Sequence, residues 1–120
     1  MTSEERRRTP RIRTYRPVRL HMPGGPQVVE TLTKDLAAGG VRCLSPVSVP
    51  VASELRVELM LSSGEEPLAL KTQTVWFRTI PYSDQFELGM AFQEISPASM
   101  RRLSGYLSHL SRTRLTSTSV

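Results

Sequence analysis

LRVELML, at residues 55–61, is the stretch that decides the fold of this sequence. Every second residue from Leu55 to Leu61 is apolar, and Arg56 and Glu58 lie between them. This period of two is typical of a β-strand with one buried face. FELGMAF, at residues 86–92, shows the same alternation. Two such stretches predict a protein built on a sheet.

Shorter runs on either side extend the prediction to six strands. They lie at residues 18–22, 28–33, 41–44 and 68–79, and segments rich in Gly and Pro separate several of them. Residues 34–40, KDLAAGG, have the composition of a tight turn, and residues 45–53 of an irregular connection.

The period changes after the last strand. Ser96 and Pro97 are typical of an N-cap and a first helical residue, and Met100, Leu103, Leu107 and Leu110 follow at spacings of three and four. We therefore predict an all-β fold, a six-stranded antiparallel β-barrel with a C-terminal α-helix at about residues 97–112. The barrel and helix occupy residues 15–112, between a flexible arm at residues 1–14 and a disordered tail at residues 113–120.

Length and composition indicate one domain and a cytoplasmic location. The chain has 120 residues, which suit a single core, and no apolar run long enough to cross a membrane. A secretory signal is not apparent, and the one cysteine, Cys43, suits a reducing compartment.

The net charge of +5 is concentrated at the N-terminus. Seven of the 16 basic residues lie in the first nineteen positions, and all are arginine: Arg6, Arg7, Arg8, Arg11, Arg13, Arg16 and Arg19. Arginine binds phosphates and guanine edges through two parallel hydrogen bonds and stacks on flat rings. The arm therefore predicts an anionic or nucleotide partner, and a solvated tail is the simpler alternative.

Arg7, Arg11 and Asp35 form the strongest candidate constellation. Arg7 and Arg11 are four residues apart, a spacing that lets both side chains reach one ligand. The carboxylate of Asp35 can accept hydrogen bonds from the N1 and N2 donors of guanine. Gly39 and Gly40 would allow a ring or a phosphate to approach the backbone closely, although they can equally serve the turn alone.

These residues resemble the PilZ family, whose pattern is RxxxR followed after twenty to thirty residues by [D/N]xSxxG. Arg7 and Arg11 match the first motif, and Asp35 and Gly40 match the ends of the second. The likeness extends from about Glu5 to His109. It implies a six-stranded barrel with a C-terminal helix, and cyclic di-GMP as the ligand. The expected ligand-binding residues are Arg6, Arg7, Arg11, Asp35, Ala37, Gly39, Gly40 and Trp76.

Three of these residues carry particular expectations. In the family, an arginine at the position of Arg6 accompanies an intercalated ligand dimer. Trp76 could stack on a guanine or belong to the core. Ala37 departs from the family serine, and the loss of one hydroxyl hydrogen bond costs about 0.5–1.5 kcal/mol.

The resemblance implies a receptor in which cyclic di-GMP clamps the arm onto the barrel. A protein partner, not identified by the sequence, would read the ordered surface and control motility, adhesion or exopolysaccharide. An adaptor that has lost nucleotide binding is the main alternative. A nucleic-acid-binding barrel is less favoured because most of the aromatic residues (one Trp, three Tyr and three Phe) occupy apparent core positions.

Neither catalysis nor a bound metal is predicted. The sequence has no Ser/His/Asp order, no Cys/His pair with a base and no spacing typical of metal ligands. We expect no enzymatic activity, no cofactor and no insertion into a membrane.

Overall fold

The computed structural model describes residues 11–118 of the chain, with side chains from residue 11 to residue 113. In this part of the chain, seven strands precede one helix. They are β1 (Ile12–Arg13), β2 (Pro17–His21), β3 (Val28–Ala37), β4 (Gly40–Ser45), β5 (Glu54–Leu59), β6 (Leu68–Thr79), β7 (Phe86–Gln93) and α1 (Pro97–Thr118).

Strands β2–β7 close into a six-stranded barrel. Their order is β3-β2-β5-β6-β7-β4, and β4 pairs again with β3, so the sheet returns to its start. Every pairing is antiparallel. Closure satisfies the backbone donors and acceptors that an open sheet leaves unpaired at its edges. The predicted fold class is therefore confirmed, with β1 as an extra strand.

Strand β3 holds the barrel and the N-terminal segment together. Its residues 28–32 pair with β2, whereas Leu36 and Asp35 pair with Ile12 and Arg13 of β1. The other side of the same segment pairs with β4. The segment at residues 34–37 therefore has neighbours on both sides, which explains why it is extended rather than a turn.

The barrel interior is filled by the alternating apolar residues that the sequence indicated. Leu55, Val57 and Leu59 of β5 are at most 3% exposed, and Leu88 and Met90 of β7 share the same core. Burial of one such side chain contributes about 1.5–3 kcal/mol. The hydrophobic effect thus fixes which face of each strand points inward.

The helix begins as predicted. The backbone N–H of Ser99 donates to Ser96 Oγ at 3.1 Å, and Pro97 is the first helical residue. Leu103 is fully buried, and Leu107 packs against the core at the margin of the barrel. The helix contacts β6 and β1. No helix among the described residues is long and apolar enough to cross a membrane.

Three predicted boundaries were wrong. The helix continues past residue 112 to Thr118, because residues 113–118 contain no Gly or Pro. Ile12 and Arg13 were assigned to a flexible arm but form β1, because Ile12 is buried and pairs with Leu36. The predicted turn at residues 34–40 shortens to Ala38 and Gly39, between β3 and β4. The rest of the predicted arm, residues 1–10, lies outside the described residues.

Candidate ligand-binding face

One row of cross-strand neighbours crosses the outer face of the barrel. Arg13 of β1 is opposite Asp35 of β3, and Asp35 is opposite Arg42 of β4. Arg42 is in turn opposite Gly89 of β7, which is opposite Trp76 of β6. Cross-strand partners lie about 4.5–5.5 Å apart, so these five residues are contiguous. We call Arg13, Asp35, Arg42, Gly89 and Trp76 the site row.

Two β-bulges place Asp35 and Trp76 in this row. The register of β3 shifts between Thr33 and Asp35, and that of β6 shifts between Thr74 and Trp76. An extra residue at each bulge changes which sequence positions face the interior. Thr33 and Thr74 are at most 1% exposed, whereas Trp76 is half-buried and Asp35, although 5% exposed, pairs with the outward-facing Arg42.

Trp76 lies against the backbone of Gly89. A Cβ atom added to Gly89 would be 2.3 Å from Cε2 and 2.4 Å from Nε1 of the indole. Such a contact is impossible, so the indole occupies the space that a side chain at position 89 would take. The Arg78 guanidinium carbon lies 5.8 Å from the centroid of the Trp76 ring, within the range of a cation–π contact. Trp76 is half-buried on the outer face and is not a residue of the barrel core.

The centre of the row carries a network of charges. Arg42 Nη2 pairs with Asp35 Oδ2 at 2.5 Å, while Arg42 Nη1 donates to Glu87 Oε1 at 3.1 Å. Glu87 also accepts from Arg78 Nη2 at 3.1 Å and from Lys34 Nζ at 2.9 Å. The side chain of Asp35 is 8% exposed and that of Glu87 is 1% exposed. The cations around them balance the charges of these two buried carboxylates.

These contacts set the protonation state of Glu87. Burial by itself would raise its pKa, but the hydrogen bond from Lys34 and the charges of Arg42, Lys34 and Arg78 outweigh that effect. The pKa of Glu87 is therefore lowered from its ordinary value. Glu87 is a carboxylate at neutral pH, which is the form that binds three cations.

Strand β1, at the C-terminal end of the predicted arm, lies beside Asp35. Arg11 is exposed and directly precedes Ile12, the residue that pairs with Leu36 beside Asp35. Arg13, rather than Arg11, is the direct neighbour of Asp35. Arg6 and Arg7 lie outside the described residues.

The turn after Asp35 has two different glycines. A Cβ at Gly40 would be 2.4 Å from the Met90 carbonyl oxygen, so the β4–β7 contact requires glycine there. A Cβ at Gly39 would meet nothing within 4 Å, and Gly39 accepts a hydrogen bond from the Phe92 N–H at 2.9 Å. Ala37 is buried and pairs with Gly40, so its side chain brings a methyl group where the motif has a hydroxyl.

A separate groove of about 920 Å³ opens between α1 and the β5–β6 connection. Arg16, Arg102 and Tyr106 contribute to its lining, but no residue of the site row does. No group of three or more His, Cys, Asp or Glu side chains among the described residues is arranged to hold a metal ion.

The family model described as the PilZ domain matches residues 5–109 of this chain. The chain belongs to the PilZ domain family. No match is found among curated proteins.

Several solved structures have folds similar to that of this PilZ domain. The PilZ domain of Escherichia coli YcgR with c-di-GMP has a TM-score of 0.73 and 18% identity, with 96% of this chain and 99% of that chain covered. A YcgR structure from the same organism in complex with c-di-GMP gives 0.79 and 17%, with 95% and 50% covered. The Bacillus subtilis inhibitor of motility MotI gives 0.71 and 18%, with 90% and 51% covered. The chain thus spans about half the length of the last two proteins.

Sequence reasoning missed several residues that lie in or next to the site row. Arg42, Arg78 and Glu87 gave no signal beyond that of charged residues on strands, because their partners are distant in sequence. Gly89 did carry a usable signal. A glycine inside an otherwise alternating strand often marks close approach of another group, which here is the Trp76 indole.

Proposed function

We propose that this PilZ domain is a receptor for cyclic di-GMP and binds it at the site row. The observation that carries the proposal is the pairing of Arg13 with Asp35 and of Ile12 with Leu36. This register brings the C-terminal end of the arginine arm to the carboxylate that would recognise guanine. An arm on the opposite side of the barrel would have excluded the proposal.

Each part of the row supplies a different contact for a cyclic purine dinucleotide. Asp35 has two carboxylate oxygens, and Arg42 contacts Oδ2, so the carboxylate retains acceptor capacity for guanine N1 and N2. The flat face of Trp76 can stack on a purine, a contact worth about 1–3 kcal/mol per base. Arg7 and Arg11, with Arg6, would supply phosphate and base contacts from the arm.

The proposed mechanism is a clamp. The ligand would bridge the arm arginines and Asp35 and so convert two surfaces into one continuous surface that a partner protein reads. Cytoplasmic signalling to motility, adhesion or exopolysaccharide functions fits this mechanism. Among the similar structures, one is described as an inhibitor of motility and three are described with c-di-GMP.

Calorimetry with cyclic di-GMP tests the proposal. We expect saturable binding to the wild type and at least a tenfold weaker affinity for Arg11→Ala and for Asp35→Ala, because charge-assisted hydrogen bonds contribute about 1.5–3 kcal/mol each. Glu30→Ala is the matched control. It removes an exposed carboxylate that pairs with Arg19 on the β2–β3 surface, and it should bind like the wild type.

Two outcomes would contradict the proposal that this domain is a receptor for cyclic di-GMP. Absence of heat on folded wild-type protein would favour the adaptor that has lost nucleotide binding. Equal binding of random oligonucleotides, with affinity falling steeply as salt increases, would favour a nucleic-acid-binding barrel.

A further inference from the structure

Glu87 occupies an unusual position beneath the proposed site. Its side chain is 1% exposed, so it is nearly inaccessible to a ligand, yet it lies on the same outer face as the site row. Its neighbours in the sheet are Leu44 of β4 and Arg78 of β6. A carboxylate is rarely buried to this degree unless it is paired.

Two of the three partners of Glu87 are the arginines that flank the recognition groups, and the third is Lys34. The Arg42 guanidinium bridges two carboxylates, with Nη1 on Glu87 and Nη2 on Asp35. The Arg78 guanidinium binds the same Glu87 oxygen and lies beside the Trp76 ring. One buried carboxylate therefore connects to both ends of the site, the guanine-reading aspartate and the stacking tryptophan.

The charge balance makes this connection necessary. Lys34, Arg42 and Arg78 are three cations, and Asp35 and Glu87 are two anions, so the cluster has a net charge of +1. Removal of the Glu87 charge would leave three cations with one anion and would weaken the hydrogen bonds that orient two guanidinium groups. Arg42 could then turn more fully onto Asp35 and compete with guanine for its oxygens.

The Nε atom of Arg42 adds an independent observation. It is buried and has no hydrogen-bond partner among the described residues. A buried donor without an acceptor is unfavourable, so the two-carboxylate bridge holds Arg42 in an orientation that does not satisfy all of its donors. That orientation therefore depends on Glu87 and Asp35 together.

We propose that Glu87 is a positioning residue of the ligand site, which holds Arg42 against Asp35 and Arg78 beside Trp76 without touching the ligand. This inference rests on the proposed function, since it concerns guanine recognition at the same site. Guanine selectivity would thus depend on a buried side chain that lies outside both arginine and aspartate motifs.

The experiment measures affinity for cyclic di-GMP and for cyclic di-AMP by calorimetry on Glu87→Gln. This variant keeps the shape of the side chain and removes its charge. We expect the Kd for cyclic di-GMP to rise at least tenfold and the preference for guanine over adenine to fall by a similar factor. Wild-type affinity and selectivity in folded Glu87→Gln would overturn the inference.

Two controls separate positioning from general stability. Glu58→Gln removes a carboxylate that pairs with His21 on the outer face of β5, away from the site row. Val57→Ala weakens the core at a fully buried position. Both should retain the wild-type affinity within about twofold at a temperature where they are folded. A merely structural role for Glu87 would instead make Val57→Ala and Glu87→Gln alike in binding.

A second variant keeps the test decisive if Glu87→Gln does not fold. Arg42→Lys retains the positive charge, but an ammonium group lacks the planar fork that bridges two carboxylates. We expect it to lose guanine preference at least fivefold, and wild-type preference would contradict the inference. Where both fold, combining it with Glu87→Gln should add little further loss, and full additivity would show that the two residues act separately. A wild type that binds neither dinucleotide would overturn the proposed function, whereas binding that is insensitive to these changes would overturn this inference alone.

Discussion

At the scale of single residues, the close contact between Gly89 and Trp76 controls the shape of the candidate face. Position 89 is at the centre of β7, where a side chain would ordinarily stabilise the strand. The indole of Trp76 takes that space instead. Glycine at this position weakens the strand, but it allows the Trp76 indole to lie in the same row as Asp35 and Arg42.

Gly89→Ala tests this arrangement. The new methyl group would lie 2.3 Å from Trp76 Cε2, so the indole must move. Forced repacking of this kind costs about 1–3 kcal/mol. We expect a lower free energy of unfolding in urea, followed by circular dichroism, and weaker binding of cyclic di-GMP.

Gly105→Ala is the matched control for that change. Position 105 lies within α1, and a Cβ there meets nothing within 4 Å. Alanine in a helix interior is favoured over glycine by about 0.8–1 kcal/mol. This variant should be more stable than the wild type, and equal losses in both alanine variants would show that the Trp76 contact is unimportant.

At the scale of secondary structure elements, α1 and β1 support each other. The Thr14 and Tyr106 hydroxyl groups form a hydrogen bond at 3.0 Å, and β1 contains only two residues. A two-residue strand has few ladder hydrogen bonds of its own. The helix therefore contributes to holding the segment that carries Arg11 and Arg13 next to β3.

Tyr106→Phe should weaken this support. Loss of the hydroxyl leaves Thr14, which is buried, without this partner, and such a change costs about 0.5–1.5 kcal/mol. We expect a lower melting temperature and faster amide hydrogen exchange of the Thr14 N–H, which donates to the Lys34 carbonyl oxygen at 3.0 Å. Tyr82→Phe, at a fully exposed side chain, should change neither quantity. Unchanged exchange at Thr14 in Tyr106→Phe would show that β1 does not depend on the helix.

At the scale of the whole molecule, closure of the barrel brings together charges from four strands. Lys34 and Asp35 come from β3, Arg42 from β4, Arg78 from β6 and Glu87 from β7. The cluster forms only when β4 pairs with both β3 and β7. Ionisation of Glu87 is consequently linked to global folding.

This linkage predicts a loss of stability in acid. The pKa of Glu87 is lower in the folded state than its ordinary value, which is about 4.3 in unfolded chains. Its contribution to stability is complete above the unfolded pKa and disappears as the pH falls through the folded pKa, because the unfolded chain then binds the proton more tightly. We expect the melting temperature of the wild type to fall as the pH drops below about 5, and Glu87→Gln to show a smaller fall.

Val57→Ala serves as the control for the pH series. It removes core packing and no ionisable group, so its melting temperature should be lower at every pH with the wild-type dependence on pH. Glu58 also has a lowered pKa, chiefly through its hydrogen bond with His21. The melting temperature of Glu87→Gln should therefore still depend on pH, but less steeply than that of the wild type. An unchanged curve in Glu87→Gln would contradict the linkage.

The sequence by itself determined the barrel and the start of the helix. Both depend on local patterns, namely the alternation at residues 55–61 and 86–92 and the cap at Ser96 and Pro97. Such patterns can be recognised in a sequence because the residues that form them are close together along the chain. The family motifs also identify Asp35 and the arginines of the N-terminal segment from the sequence alone.

Only the tertiary structure decided which residues meet on the outer face. The bulges before Asp35 and Trp76 change the inward and outward phase of their strands, and the period of a sequence does not report an extra residue. Arg42, Arg78 and Glu87 meet through pairings between distant segments, which exist only after the barrel closes. Strand periodicity is a property of neighbouring residues, whereas a charged site is a property of register between strands.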